Sequence, residues 1–201
     1  DIQAMRIDRR TVLLATLAAS VLPGSMRAQD DDAKDPPWMI LAGNDSGPRG
    51  RWGHALVADP VNNRLLLIGG RDEQGTVKGD LWSYDLAGLA WSDLDLSGPK
   101  ARSGSASAIA ADGSGFYYFG GASNDKVLGD LWWFDFASVS WRELTPTGGG
   151  PSARSGVKGA VDSLGRFVIS HGTNGNELFD DTWAYDPAAR TWSAWAGSWA
   201  R

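Results

Sequence analysis

The chain has 201 residues, a formal net charge of −5, no cysteine, 26 glycines and 11 tryptophans. Without cysteine no disulfide can staple it, so its stability has to come from a packed core. An acidic balance with no basic stripe excludes the electrostatic footprint of a nucleic-acid binder.

In chain order, residues 5–28 read as an export signal peptide. Arg6, Arg9 and Arg10 form a basic region, residues 12–22 are an apolar run, and Pro23-Gly24 breaks it before Ala28, which can close a cleavage site. That run is too short to span a bilayer, which takes about 20 residues. The stretch Asp8-Arg9-Arg10-Thr11-Val12-Leu13 resembles a twin-arginine (Tat) signal of bacteria, with an ordinary secretory (Sec) signal as the alternative. Either route predicts a periplasmic or secreted protein with no membrane span after signal removal. Residues 29–37, with Asp30-Asp31-Asp32 and Pro36-Pro37, read as a solvated acidic linker. Removing residues 1–28 leaves a net charge of −7. Trp38-Met39-Ile40-Leu41 then reads as an orphan strand.

From residue 49 the chain repeats. Arg51, Arg102 and Arg154 open three units, and Gly69-Gly70, Gly120-Gly121 and His171-Gly172 follow at steps of 51. Trp82, Trp132 and Trp183 keep the same beat, as do Trp91, Trp141 and Trp192. Alternation and turn residues predict four strands per unit, at 53–58, 64–68, 80–85 and 91–94 in the first. The second unit places them at 107–110, 116–119, 131–134 and 141–144, and the third at 157–161, 167–170, 182–185 and 192–195. No helical period is sustained beyond the N-terminus. An all-β sequence that repeats about every fifty residues predicts one propeller blade per unit, at about 49–98, 99–150 and 151–200. The six registered tryptophans are expected in the inter-blade core, and the glycines Gly69, Gly70, Gly120, Gly121 and Gly172 where strands crowd toward the axis.

Arg51-Trp52-Gly53-His54, Gly69-Gly70, Asp80-Leu81-Trp82-Ser83-Tyr84-Asp85 and Trp91 together resemble the kelch repeat family, and the resemblance covers residues 38–201. It implies a kelch-type β-propeller, akin to the central domain of galactose oxidases. Ser105 and Val157 depart from the pattern where the first unit has His54, and His171 departs where the others have glycine. Gly197-Ser198-Trp199-Ala200-Arg201 looks like Gly150-Pro151-Ser152-Ala153-Arg154, the approach to the third unit. Since propellers have typically 4–8 blades, the reading is a partial propeller belonging to a larger closed ring.

The loops 71–78, 122–128 and 173–179 vary in sequence and share one end of the blades with the opening arginines. Loops on a rigid scaffold carry function, so ligand contacts are expected there. Trp52 stands where the other units have Ser103 and Ser155, either as a stacking platform or anchor, or packed against the Trp38 strand. His171 is a ligand contact or a hydrogen-bonded filler. Arg51, Arg102 and Arg154 either tie the blades together through carbonyls or Asp80, Asp130 and Asp181, or one of them faces an anionic ligand. Asp72, Glu73, Asp125 and Glu177 read as solvated loop charges without the spacing of a calcium loop. No catalytic residue, metal or cofactor is assigned. The preferred function is a recognition module for a protein or glycan ligand. The alternative is a periplasmic carbohydrate-active enzyme, a sugar isomerase or an oxidase, with catalytic residues partly in blades beyond this chain. The resemblance argues against the oxidase, because galactose oxidases use a cysteine-modified tyrosine.

Overall fold

The computed structural model describes residues 47–195. The export signal at 5–28, the linker at 29–37, the orphan strand at 38–41 and the motif at 197–201 lie outside the described residues.

The first blade consists of β2 (Ala55–Asp59), β3 (Arg64–Ile68), β5 (Leu81–Asp85) and β6 (Ala90–Asp93), paired antiparallel in that order, while β1 (Arg51–Trp52) and β4 (Arg71–Asp72) form a separate ribbon. The second blade is β7 (Ala106–Ile109), β8 (Gly115–Phe119), β9 (Leu131–Asp135) and β10 (Ser140–Leu144). The third is β11 (Lys158–Val161), β12 (Phe167–Ser170), β13 (Thr182–Asp186) and β14 (Thr191–Trp195). No helix occurs among the described residues, and the three sheets do not close into a ring. The all-β, kelch-type blade architecture is as the repeat predicts.

Side-chain alternation divides each sheet between its neighbours. Phe116 and Tyr118 of β8 face the first blade, against Val57, Leu66, Ile68 and Leu81. Tyr117 and Phe119 face the third, against Val157, Phe167, Ile169 and Tyr185. All five residues of β8, Gly-Phe-Tyr-Tyr-Phe, are therefore buried, and a strand covered on both faces needs no polar positions. Burying each such ring contributes about 1.5–3 kcal/mol.

Four of the registered tryptophans, Trp132, Trp141, Trp183 and Trp192, pack against the inter-blade core as expected, but from its margin. Trp82, Trp91, Trp132, Trp141, Trp183 and Trp192 are all half-buried, and the fully buried rings are phenylalanines and tyrosines. The reason for the second set is sheet order: Trp91, Trp141 and Trp192 lie on β6, β10 and β14, the edge strands of the blades. From there they cover the rim of the core, Trp141 against Phe134 at 4.9 Å and Trp192 against Tyr185 at 5.4 Å between ring centroids. A Gly-Pro pair precedes each opening arginine, and its glycine lies over that unit's rim indole; a Cβ on Gly98 would meet Trp141 at 2.4 Å.

Backbone hydrogen bonds join the blades. Gly70 N–H donates to Arg102 O (2.9 Å) and Arg102 N–H to Lys78 O (3.1 Å), and one blade on, Gly121 N–H donates to Arg154 O (2.8 Å). Along the inner strands, Gly104 N–H donates to Gly53 O and Gly156 N–H to Gly104 O, both at 2.8 Å.

Candidate functional site: the loop end

Each unit builds the same clamp at this end. Asp80 and Trp82 are two residues apart at the start of β5, so they share a face, and the indole Nε1–H of Trp82 donates to Asp80 Oδ2 at 2.8 Å. Arg51 then grips the same carboxylate with both Nη atoms (2.5 and 2.9 Å) and donates to Gly69 O at 3.0 Å. Arg102 repeats this on Asp130 (2.5 and 2.7 Å) and Gly120 O, with Trp132 donating at 2.6 Å. Arg154 repeats it on Asp181 and on His171 O, with Trp183 donating at 2.7 Å. The first set of registered tryptophans is thus explained by hydrogen bonding to the clamp.

Burial raises the pKa of Asp80 and of Asp130, but hydrogen bonds from Arg51 and Trp82, and from Arg102 and Trp132, more than offset it and leave both below the ordinary value. For Asp181 the Arg154 hydrogen bonds are the largest influence, again downward. All three carboxylates are held ionised as partners of buried cations.

The clamps correct one expectation. The arginine side chains bind within their own unit, and the inter-blade link runs through the main chain of the same residues, as the Arg102 and Arg154 bonds above show. Arg102 and Arg154 are 1% exposed, so their guanidiniums do not reach the open surface. A stacked Phe179 ring, 4.2 Å from Arg154 Cζ, covers the third clamp further.

The variable loops are small hairpins. Arg71 bridges Val77, Ala122 bridges Val127 and Thr173 bridges Leu178. Each hairpin is latched to the residue after the clamp arginine, through Trp52 with Arg71, Ser103 with Ala122 and Ser155 with Thr173. Trp52 therefore projects from a rigid ribbon, is 63% exposed, and has the Arg71 guanidinium over its ring at 5.9 Å. Its expected neighbour, the Trp38 strand, lies outside the described residues.

His171 is exposed, adopts φ 60°, and accepts or donates at Nδ1 to Ser170 Oγ at 2.6 Å. A Cβ at the equivalent Gly69 or Gly120 would lie 2.5 or 2.6 Å from the carbonyl of the next unit's arginine, so only glycine fits at those two places. His171 meets no such carbonyl among the described residues. Asp72 also differs from expectation. It is buried beneath its hairpin, bonded to Lys78 Nζ at 2.6 Å and to Thr76 N–H at 2.8 Å, and the Lys78 hydrogen bond leads in lowering its pKa. Asp125 is an exposed partner of Lys100, and that hydrogen bond is the main cause lowering its pKa to about 2. No group of histidine and carboxylate side chains among the described residues is arranged to hold a metal ion.

Residues 32–198 match the family model described as the KLHDC2/KLHL20/DRC7 Kelch-repeats domain. The chain is 33% identical over 89 residues to the tRNA wybutosine-synthesizing protein 2/3/4 of Arabidopsis thaliana, covering 44% of this chain and 9% of that protein. It is 30% identical over 107 residues to the N-acetylneuraminate epimerase of Pasteurella multocida, covering 51% of this chain and 27% of the epimerase. The chain thus spans about a quarter of that relative or less. With clamps repeated in register through three four-stranded sheets and a family match across all of them, this chain belongs to the Kelch-repeat family.

Proposed function

We propose that this chain is an exported recognition module that binds a protein or glycan ligand at its loop end, with Trp52 as the anchor. Kelch-repeat membership supports a protein-interaction propeller. The observation that carries the site is Trp52 itself: a large aromatic that is 63% exposed on a latched ribbon, where the other units place Ser103 and half-buried Ser155. Tryptophan in such a position offers apolar area at little entropic cost, and truncating an interface anchor of this kind costs about 2–4 kcal/mol of binding. His171 and Arg71 flank the surface as polar contacts, while Arg51, Arg102 and Arg154 hold its shape. The test is recovery of binding partners from exported proteins and from a glycan array by the wild-type chain and by Trp52→Ser. A ligand kept by the first and lost by the second supports the reading, and equal recovery overturns it.

Export rests on residues 5–28. Replacing Arg9-Arg10 by Lys-Lys is expected to stop delivery through the twin-arginine route, and unchanged delivery would assign the ordinary secretory route instead. A second reading, a sugar isomerase, is favoured by the similarity to an N-acetylneuraminate epimerase. Following the C3 methylene protons of the α and β anomers of N-acetylneuraminate by NMR with the chain present tests it directly, and an unaltered interconversion rate removes it.

A further inference from the structure

At the end opposite the loop hairpins, a cleft of about 460 Å³ opens between the second and third blades. It is not a general property of blade junctions. Between the first and second blades the same place is filled. Asp59, 1% exposed, accepts from Arg64 Nε at 2.8 Å and from Asn62 Nδ2 at 2.9 Å, Asn62 also donates to Phe136 O at 2.8 Å, and Phe136 is fully buried. In the repeat register the next junction has Ala110 for Asp59, Gly113 for Asn62, Gly115 for Arg64 and Pro187 for Phe136. Each change removes volume.

Other changes at that junction add polar and aromatic groups. Leu66 and Phe134, apolar in the first junction, become Tyr117 and Tyr185, Ser83 becomes Trp133, and Ser92 and Val139 become Arg142 and Arg190. Neither guanidinium has a carboxylate partner among the described residues, and neither phenol oxygen has a hydrogen-bond partner there. Burial pushes Tyr117 up to about 12 and also raises Tyr185, so both phenols remain protonated donors. Trp133 is half-buried and lies over Gly115, tilted against Tyr117 at 4.9 Å. The one carboxylate on the lining, Asp112, is occupied by the N–H and hydroxyl of Ser114 at 3.0 and 2.7 Å. Asp186, whose charge also reaches both phenols, is likewise occupied, by the Ala188 and Ala189 N–H groups. In an acidic chain, this leaves a donor-rich cleft of ligand-pocket size with two unpaired guanidiniums on its rim.

We propose that this inter-blade cleft is a second binding site, specific for a carboxylate-bearing sugar. Arg142 and Arg190 take the carboxylate, the Tyr117 and Tyr185 hydroxyls donate to ring oxygens and hydroxyls, and Trp133 supplies the apolar wall. The site lies on the other end of the blades and does not depend on what the loop end binds.

Calorimetric titration of the full chain with digalacturonate tests the site, with galactobiose as the neutral counterpart and a hexaglutamate peptide as the other carboxylate source. Digalacturonate is expected to bind and galactobiose to fail. The double variant Arg142→Gln/Arg190→Gln, changed only at exposed side chains, is expected to weaken binding at least tenfold, as is Trp133→Ser, which installs the first blade's residue. Arg71→Gln at the loop end is expected to leave it unchanged. The proposal is overturned if digalacturonate does not bind, if the double variant binds it as wild type does, if galactobiose binds equally well, or if the peptide binds in its place.

Discussion

Replacing Arg102 with leucine removes the central clamp and measures what a buried side chain with an ionic task contributes to this fold. Arg102 is 1% exposed and its partner Asp130 is 26% exposed. The substitution leaves Asp130 with the Trp132 indole as its side-chain donor, leaves Gly120 O with the Ser105 hydroxyl, and strips the side-chain donor from Lys100 O. Breaking a buried pair from one side costs about 3–5 kcal/mol, because the remaining charge is uncompensated. Water still reaches part of Asp130, which places the expected loss at the low end, about 3 kcal/mol. For a domain of this size each kcal/mol lowers the melting temperature by about 2–4 °C, so the drop should be roughly 6–12 °C. Urea unfolding followed by tryptophan fluorescence reads the change, with Lys100→Ala as the reference. The Lys100–Asp125 pair is 51% and 62% exposed, and losing it should cost less than about 1 kcal/mol. Adding Asp130→Asn to Arg102→Leu should recover part of the loss, since the orphaned charge disappears. If Arg102→Leu is no more destabilising than Lys100→Ala, the clamp is ornament and the reasoning fails.

The three clamp carboxylates also set an acid limit. Asp80, Asp130 and Asp181 have folded pKa values below the ordinary 3.8 of a free aspartate, so their contribution is complete above that value and is lost as pH falls through the lower folded values. The urea midpoint should hold from pH 7 to about 5 and fall steeply below about 4, less steeply in Arg102→Leu; parallel curves would contradict this. His171→Gly should be neutral or stabilising by up to about 1 kcal/mol, because φ 60° suits glycine better, whereas Gly120→His should cost about 1–3 kcal/mol or more, its Cβ lying 2.6 Å from Arg154 O. Equal effects of the two substitutions in thermal melts would remove the distinction. Gly98→Ala should cost about 1–3 kcal/mol by pressing on Trp141, measured in the same melts.

Legibility of the site differed from that of the fold. Trp52 and His171 stood out as breaks in the repeat, and the structure finds both exposed at the loop end. The clamp was half visible. Its arginines and aspartates recur, but the D-x-W spacing that gives each carboxylate an indole donor passed as part of a hydrophobic core pattern. The cleft between the second and third blades could have been suspected from Arg142, Arg190 and Trp133 standing where other units have small or apolar residues. Nothing in one unit, however, says which residues of the next unit they meet.

The sequence alone determined that residues 49–195 hold three repeat units of four strands each, in order, because turn residues, alternation and a fifty-residue period are local properties repeated often enough to be unambiguous. Only the tertiary structure decided how the units meet. It left the registered tryptophans half-buried around a core of phenylalanines and tyrosines, Trp91, Trp141 and Trp192 because they lie on edge strands, and Trp82, Trp132 and Trp183 because their indoles turn to the clamp carboxylates. It decided between the two readings of Arg102 and Arg154 by burying both on their carboxylates and carbonyls, because a guanidinium's exposure depends on which groups converge on it. It likewise filled one blade junction and opened the next, because a cleft is a difference in volume between two surfaces that are far apart in the chain.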